Sequence, residues 1–142
     1  MNKARILFIA ISFICISKLG FAQCDTIAKV CNANITDEYI SDGQEYRALL
    51  LSDELAEFQA TFYGGSIYRI AACSGLSDGN LNFTVLDHDR NVIYSNKEFE
   101  NAPSWDLKFV STVDCIIEAS LSGDAASGCA VLLIGFKQKQ PK

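Results

Sequence analysis

The chain has a single histidine, His88, and it stands between two carboxylates, Asp87 and Asp89. A histidine oriented by an acid can act as a general base, but hydrolysis of this kind also needs a positioned nucleophile. Aspartate and asparagine around it are typical of a turn, because their side chains bond the backbone two residues on. We therefore predict that His88 lies in a solvated turn, as a candidate ligand contact, and that the protein is not an enzyme.

The same turn is a candidate calcium site. Asp87, Asp89 and Asn91 offer oxygen atoms at alternate positions, and Glu98 falls where a calcium loop has its bidentate glutamate. Such a loop needs glycine at the position occupied here by Val92, and turns of this composition form without any ion. The sequence indicates no other cofactor.

Five cysteines follow the first segment of the chain and are all disulfide candidates: Cys24, Cys31, Cys73, Cys115 and Cys129. Disulfides persist in exported proteins, and an odd number leaves at least one thiol without a partner in the chain. The cysteines are too widely spaced for a zinc site, and one histidine cannot complete it. Among the later three, pairings of Cys73 with Cys115, Cys73 with Cys129 and Cys115 with Cys129 all stay open.

The first two cysteines constrain the local structure. In a regular helix, Cys24 and Cys31 would lie about 10 Å apart along the axis, whereas bridged cysteines need Cα atoms within about 7 Å. A helix and a Cys24 to Cys31 disulfide therefore exclude each other. We predict the disulfide, within an irregular loop.

Trp105 is the only tryptophan. An exposed tryptophan beside Tyr94 could stack on a sugar ring. Trp105, Leu107 and Phe109 have the same parity, however, which predicts one buried strand face. We predict a core position for Trp105 and keep Trp105 and Tyr94, with His88, as candidate ligand contacts.

Residues 1–22 have the features of a secretory signal. Lys3 and Arg5 precede an apolar run over 6–16, and Gly20 and Ala22 are the small residues that a signal peptidase requires. We expect cleavage after Ala22 and a secreted or periplasmic protein. The run is shorter than the ~20 apolar residues of a membrane span, and no span is expected after cleavage.

The charge of the chain limits its partners. The formal net charge is −5, and removal of a leader with three cations and no acid makes it −8. Binding to nucleic acid depends on clusters of Lys and Arg that neutralise phosphates, and no such cluster exists. We expect a protein or glycan ligand outside the cytoplasm; the sequence assigns no oligomeric state.

Alternating apolar and polar residues predict strands along most of the chain. Residues 55–62 alternate strictly, the faces of residues 66–73 also alternate, and the two segments meet at Gly64 and Gly65, which predicts a hairpin. Leu51, Leu55, Phe58 and Phe62 also fit the spacing of a helix. We prefer the strand because of the alternation and because Phe62 comes directly before the glycine turn. Seven or eight strands recur at intervals of about ten residues, with turn residues between them. We predict an all-β antiparallel sandwich, jelly-roll-like, as a single domain over 44–137. Residues 23–43 would form an N-terminal segment with Cys24 and Cys31, and 138–142 a disordered tail.

The strand order also resembles a family. Residues 49–136 resemble the bacterial pre-peptidase C-terminal (PPC) domains of secreted proteins. The features that carry the resemblance are the alternating strand Phe58–Phe62, the aromatic strand Gly65–Ile70, a strand that ends in an aspartate turn (Leu81–Asn91) and is followed by Val92–Tyr94, and the closing strands Cys115–Leu121 and Cys129–Phe136. The resemblance implies an accessory or binding role without catalysis. PPC domains usually accompany a catalytic domain, which this chain lacks.

Three functional hypotheses follow. The first is a secreted or periplasmic binding module for a protein or glycan. The second is an inhibitor of a secreted hydrolase such as a lysozyme or protease, since an acidic protein can be steered onto a basic enzyme. The third, an enzyme built around His88, has the least support from the residues.

Overall fold

The computed structural model describes residues 19–75, 80–123 and 127–138. Most of the predicted signal (1–18) and nearly all of the predicted tail (139–142) lie outside these residues. Helix α1 (Leu19–Cys31) and two 3-10 turns accompany eight strands: β1 (Ile40–Leu51), β2 (Leu55–Phe62), β3 (Ser66–Cys73), β4 (Leu81–Asp87), β5 (Val92–Ser95), β6 (Ser104–Lys108), β7 (Val113–Leu121) and β8 (Ser127–Gln138).

The eight strands form two four-stranded antiparallel sheets. The first sheet has the order β1-β8-β3-β6 and the second the order β2-β7-β4-β5. This alternation of the strands between two sheets is the arrangement of a jelly roll. The predicted all-β antiparallel sandwich of seven or eight strands is confirmed.

The predicted hairpin between β2 and β3 is wrong. β2 pairs with β7, whereas β3 pairs with β6 and β8, so the turn at Gly64 and Gly65 connects the two sheets. Gly65 has φ +85°, and a Cβ on Gly64 would lie 2.8 Å from the carbonyl oxygen of Val110. The glycines are therefore needed for a tight inter-sheet turn. The alternation of apolar and polar residues predicted β2 and β3 as strands, but it did not predict which strands they pair with.

Ser41, Asp42 and Gly43 are residue types that predict a turn, but they lie inside β1. The register of β1 against β8 shifts between Ser41 and Glu45, which is a bulge. Gly43 lies at the bulge with φ +79°, a conformation that glycine adopts without strain. The turn is therefore wrong, because the strand continues through these residues and the glycine allows a bulge instead.

The predicted Cys24 to Cys31 disulfide is also wrong, because α1 is a helix and each cysteine bonds to a different strand. Cys24 is bonded to Cys129 on β8, with Cα atoms 5.5 Å apart, and Cys31 to Cys73 on β3, at 5.8 Å. Cys24, Ile27, Ala28 and Cys31 have the spacing of one helix face, and all four are buried. This face packs on the outer side of the first sheet, against residues that include Ala71, Val131 and Leu133.

The main core lies between the sheets. Its largest fully buried side chains include Phe62, Phe83, Ile70, Leu132 and Ile117. Phe62 stacks on Phe109 with ring centroids 4.6 Å apart. The core thus joins strands from both sheets through aromatic and branched side chains. Within the described residues, no helix is both long enough and apolar enough to cross a membrane.

Candidate functional site

Three connections meet at one end of the sandwich, which we call the open end: the turns 63–65, 88–91 and 109–112. The first and third are bonded together, because the backbone N–H of Gly65 donates to the carbonyl oxygen of Phe109 at 2.9 Å and that of Gly64 to the hydroxyl of Thr112 at 3.2 Å. The β1 bulge lies near the same end, where β1 begins and β8 finishes. Loops that are held on a rigid sandwich in this way are common positions for binding residues.

A groove of about 930 Å³ opens at this end, and we call it the end groove. It is lined from both sheets by carboxylates, amides and aromatic side chains. Its lining includes Asp42, Gln44, Tyr46, Thr61, Phe62, Tyr63, Tyr68, His88, Asp114, Cys115 and Phe136. No lysine or arginine is among the lining residues that the structure describes.

Asp42 is positioned by the β1 bulge. Its Oδ1 accepts a hydrogen bond from the backbone N–H of Gln44 at 2.9 Å, and the hydroxyl of Ser41 accepts one from Gly43 at 3.1 Å. Partial burial raises the pKa of Asp42, against the lowering effect of the Gln44 hydrogen bond. Burial also raises the pKa of Tyr46, and the charge of Asp42 adds to this effect. The bulge thus holds a partly desolvated carboxylate at the groove.

Asp114 brings a second carboxylate from the other sheet. Thr61 donates its hydroxyl hydrogen to Oδ1 of Asp114 at 2.6 Å, across the pairing of β2 with β7. Neither Asp42 nor Asp114 forms an ion pair within the part of the chain that the structure describes. The three described arginines all do: Arg47 with Asp25 and Glu45, Arg69 with Asp106, and Arg90 with Glu57 and Glu118.

Among the described cysteines, Cys115 is the one without a disulfide partner, and it is buried. All three pairings left open among Cys73, Cys115 and Cys129 are therefore wrong, because Cys129 is bonded to Cys24 and Cys73 to Cys31, both in α1. Burial, followed by the charges of Asp87 and Asp114, raises the pKa of Cys115 to about 11. Such a thiol is protonated at neutral pH and a weak nucleophile, although it borders the end groove.

Exposed apolar side chains flank the groove. Tyr63 is 63% exposed and Val110 is 88% exposed, and they lie on the two bonded turns of the open end. Exposed aromatic and aliphatic residues beside a polar groove are typical of a protein contact surface. The open end therefore combines a recess with projecting apolar residues.

The turn with the predicted calcium ligands is held by its own hydrogen bonds. Oδ1 of Asp87 accepts from the backbone N–H groups of Asp89 and Asn91, and Oδ2 accepts from the side-chain amide of Asn91 at 2.9 Å. These bonds from Asn91 lower the pKa of Asp87. Among the described residues, no three His, Cys, Asp or Glu side chains are grouped as metal ligands. Calcium binding here stays a prediction, and the turn is explained without it.

The three candidate ligand contacts do not lie together. His88 is exposed, approaches Asp89 at 3.2 Å and borders the end groove. Trp105 and Tyr94 stack on each other at 5.1 Å, and Phe99 packs on Trp105 at 4.4 Å. Trp105 is half-buried against the main core, and Tyr94 is buried. The rings cover one another along the edge between β5 and β6, as the core prediction for Trp105 implies, and do not form an open platform.

Sequence reasoning missed Asp42 and Asp114 as site residues. They are far apart in the chain and are brought to one groove by the pairing of β1 with β8 and of β2 with β7. The available signal was Ser41, Asp42 and Gly43, residue types typical of a turn, directly before the alternating residues Tyr46, Ala48 and Leu50. This signal predicts the local backbone conformation, but it does not show that Asp42 and Asp114 line the same groove.

Comparisons with known proteins show the fold but no family. No protein-family model matches the chain, and no curated protein matches it. Among solved structures, the chain is similar to Aeromonas hydrophila PliG, a periplasmic lysozyme inhibitor of g-type lysozyme, with a TM-score of 0.52 and 12% sequence identity. The similarity covers 72% of this chain and 90% of that one. At this identity, the likeness extends to the sandwich fold alone, and the resemblance to PPC domains stays a prediction.

Proposed function

We propose that this protein is a non-catalytic, extracytoplasmic inhibitor of a lysozyme, and that it binds the enzyme through the open end of the sandwich. The observation that carries the proposal is the end groove, which has two carboxylates without ion-pair partners in the described residues and projecting apolar residues beside it. The sandwich fold shared with PliG, a periplasmic inhibitor of g-type lysozyme, supports the choice of target class. The inhibitor hypothesis is thus preferred to a general binding module.

The location follows from the same proposal. The first 22 residues have the features of a secretory signal, and disulfides such as Cys24–Cys129 and Cys31–Cys73 persist in oxidising compartments. A secreted or periplasmic protein would meet lysozyme outside the cytoplasm. The mature net charge of −8 would favour association with a cationic enzyme at low salt.

The open end has the parts that a protein interface needs. Tyr63 and Val110 can supply apolar contact beside the groove, and tyrosine is among the residues enriched in binding hot spots. Asp42 and Asp114 can supply electrostatic complementarity, which sets specificity and association rate more than it sets affinity. A glycan-binding function has less support, because Tyr94 is buried and Trp105 is half-buried and packs against Tyr94 and Phe99.

The test is inhibition of a purified g-type lysozyme by the purified mature protein. We expect lysis of a peptidoglycan suspension to fall in a dose-dependent way and to stop near molar equivalence. Unchanged lysis by a large molar excess would overturn the proposal for this class of enzyme. Parallel assays with a c-type lysozyme and a serine protease would reveal a different target.

A pair of variants localises the contact. Tyr63→Ala removes an exposed ring at the open end, and Leu51→Ala removes a similarly exposed side chain (58% exposed) at the opposite end of β1. We expect Tyr63→Ala to weaken inhibition by about tenfold or more, as hot-spot tyrosines do, and Leu51→Ala to inhibit like the parent protein. Equal effects of both variants would place the contact elsewhere.

A further inference from the structure

The end groove has an uncompensated negative charge. Asp42 and Asp114 both line it, and no Lys or Arg is among its described lining residues. Elsewhere in the described chain, arginines neutralise carboxylates in pairs, as Arg69 does with Asp106 at 2.7 Å. Asp42 is half-buried and Asp114 is exposed, and each accepts one hydrogen bond from the protein, from the backbone N–H of Gln44 and from the hydroxyl of Thr61. An ionised carboxylate has further lone pairs, and a charged donor satisfies them more strongly than a neutral one. The groove therefore favours a ligand that brings positive charge.

The aromatic residues of the groove favour one type of cationic side chain, arginine, over lysine. Tyr46, Phe62, Tyr68 and Phe136 line the groove together with the two carboxylates. A guanidinium group is planar, stacks on aromatic rings, donates several hydrogen bonds to carboxylates and is more weakly hydrated than an ammonium group. The groove, at about 930 Å³, has space for a long side chain and part of the segment that carries it. This combination fits arginine better than lysine.

We propose that the end groove binds an arginine side chain that the inhibited lysozyme presents, with Asp42 and Asp114 as its counter-charges. The identity of the partner rests on the proposed function, whereas the preference for a guanidinium group rests on the groove alone. The groove would thus act as a receptor for a residue of the enzyme, while Tyr63 and Val110 provide the surrounding contact.

The first arm of the test uses a small probe and no lysozyme. N-acetyl-arginine amide is titrated into the 15N-labelled mature protein, with the neutral isostere N-acetyl-citrulline amide as the comparison. We expect saturable chemical-shift changes at groove residues, including Asp42, Gln44, Thr61 and Asp114, and much weaker changes with the citrulline probe. Equal responses to both probes, or shifts spread over all exposed acids, would overturn the proposal.

Matched charge variants are then examined with the same probe. The double variant Asp42→Asn, Asp114→Asn should weaken arginine binding by about tenfold or more, because it removes both counter-charges of a close charge pairing. Asp53→Asn is the control, because it removes the same charge from the turn at the opposite end, between β1 and β2.

The second arm uses g-type lysozyme and separates the two hypotheses. We expect the double variant to bind the enzyme at least about tenfold more weakly than the parent protein, with little change for Asp53→Asn. If lysozyme binds but the double variant and the control behave alike, the arginine proposal fails and the inhibitor function stands. If the parent protein does not bind any lysozyme while the arginine probe still binds the groove, the function fails and the guanidinium preference stands.

Discussion

The backbone N–H of Phe83 donates a hydrogen bond to the side-chain Oδ1 of Asn96 at 2.8 Å. Asn96 is fully buried, and its Nδ2 donates to the carbonyl oxygens of Leu81 at 2.9 Å and Ala102 at 3.2 Å. β5 is short and pairs only with Thr84–Leu86 of β4. Buried backbone groups must find hydrogen-bond partners. The Asn96 side chain provides these partners for Leu81 and Phe83, in the part of β4 that β5 does not reach.

We expect Asn96→Ala to be strongly destabilising. The substitution leaves the N–H of Phe83 and the carbonyl of Leu81 without their side-chain partner, at a cost of about 1–3 kcal/mol for each buried group. Urea denaturation would measure the free energy of unfolding. Asn82→Ala is a matched control on β4, because its Oδ1 has no hydrogen-bond partner among the described residues. If Asn96→Ala lowered the free energy of unfolding no more than Asn82→Ala does, this role of Asn96 would be contradicted.

The two disulfides should contribute unequal but large stabilisation. In the chain-entropy model, the Cys31–Cys73 bridge closes a loop of 42 residues and contributes about 4 kcal/mol, and the Cys24–Cys129 bridge, which spans 105, contributes about 5 kcal/mol. We expect replacement of either pair by alanine to lower the free energy of unfolding by up to these amounts, measured by urea denaturation. A decrease under about 1 kcal/mol for both pairs would mean that the packed face of α1 holds the helix without them.

The remaining thiol should resist alkylation in the folded protein. With a pKa of about 11, about one Cys115 side chain in a thousand is ionised at pH 8, and burial restricts access. We expect iodoacetamide to leave the native mature protein unmodified and to add one group after unfolding without reductant, as measured by intact mass. More than one added group would contradict the two disulfides, and rapid labelling of the native protein would contradict the burial of Cys115.

The fold class could be predicted because strand alternation is local. Residues 55–62 and 66–73 alternate, and both are strands. Their partners could not be predicted, because an inter-sheet turn and a hairpin turn both require glycine and differ only in which distant strands complete each sheet. The helix was missed because Cys24 and Cys31 were assumed to pair locally, although their spacing with Ile27 and Ala28 is that of one helix face.

The candidate site was less predictable than the fold. His88 could be assigned to an exposed turn from its neighbours, and Trp105 to the core from its parity, because both depend on nearby residues. The groove depends on contacts between sheets. Asp42 and Asp114 come from strands that never pair with each other, so no local pattern could show that they share a recess.

Asp42 should reduce stability at neutral pH, although we propose that it aids binding. Burial raises its pKa in the folded state, so the folded protein binds a proton more tightly than the unfolded chain does. Stability therefore falls as pH rises from the ordinary aspartate pKa through the higher folded value, and the penalty is complete above that window. We expect Asp42→Asn to be modestly more stable than the parent protein at pH 7, and the difference to disappear by about pH 3, below the ordinary pKa.

Thermal unfolding of both proteins across this pH range would measure the difference, with Asp53→Asn as the control for a general change of charge. Asparagine keeps a side-chain oxygen that can accept the hydrogen bond from Gln44, so the comparison isolates the charge of Asp42. Lower stability of Asp42→Asn at pH 7 would contradict the desolvation argument, because it would mean that the charged hydrogen bond to Gln44 outweighs burial. If Asp42→Asn is more stable than the parent protein but binds lysozyme more weakly, Asp42 lowers stability and contributes to binding. Such a trade-off is expected of a residue in a binding site.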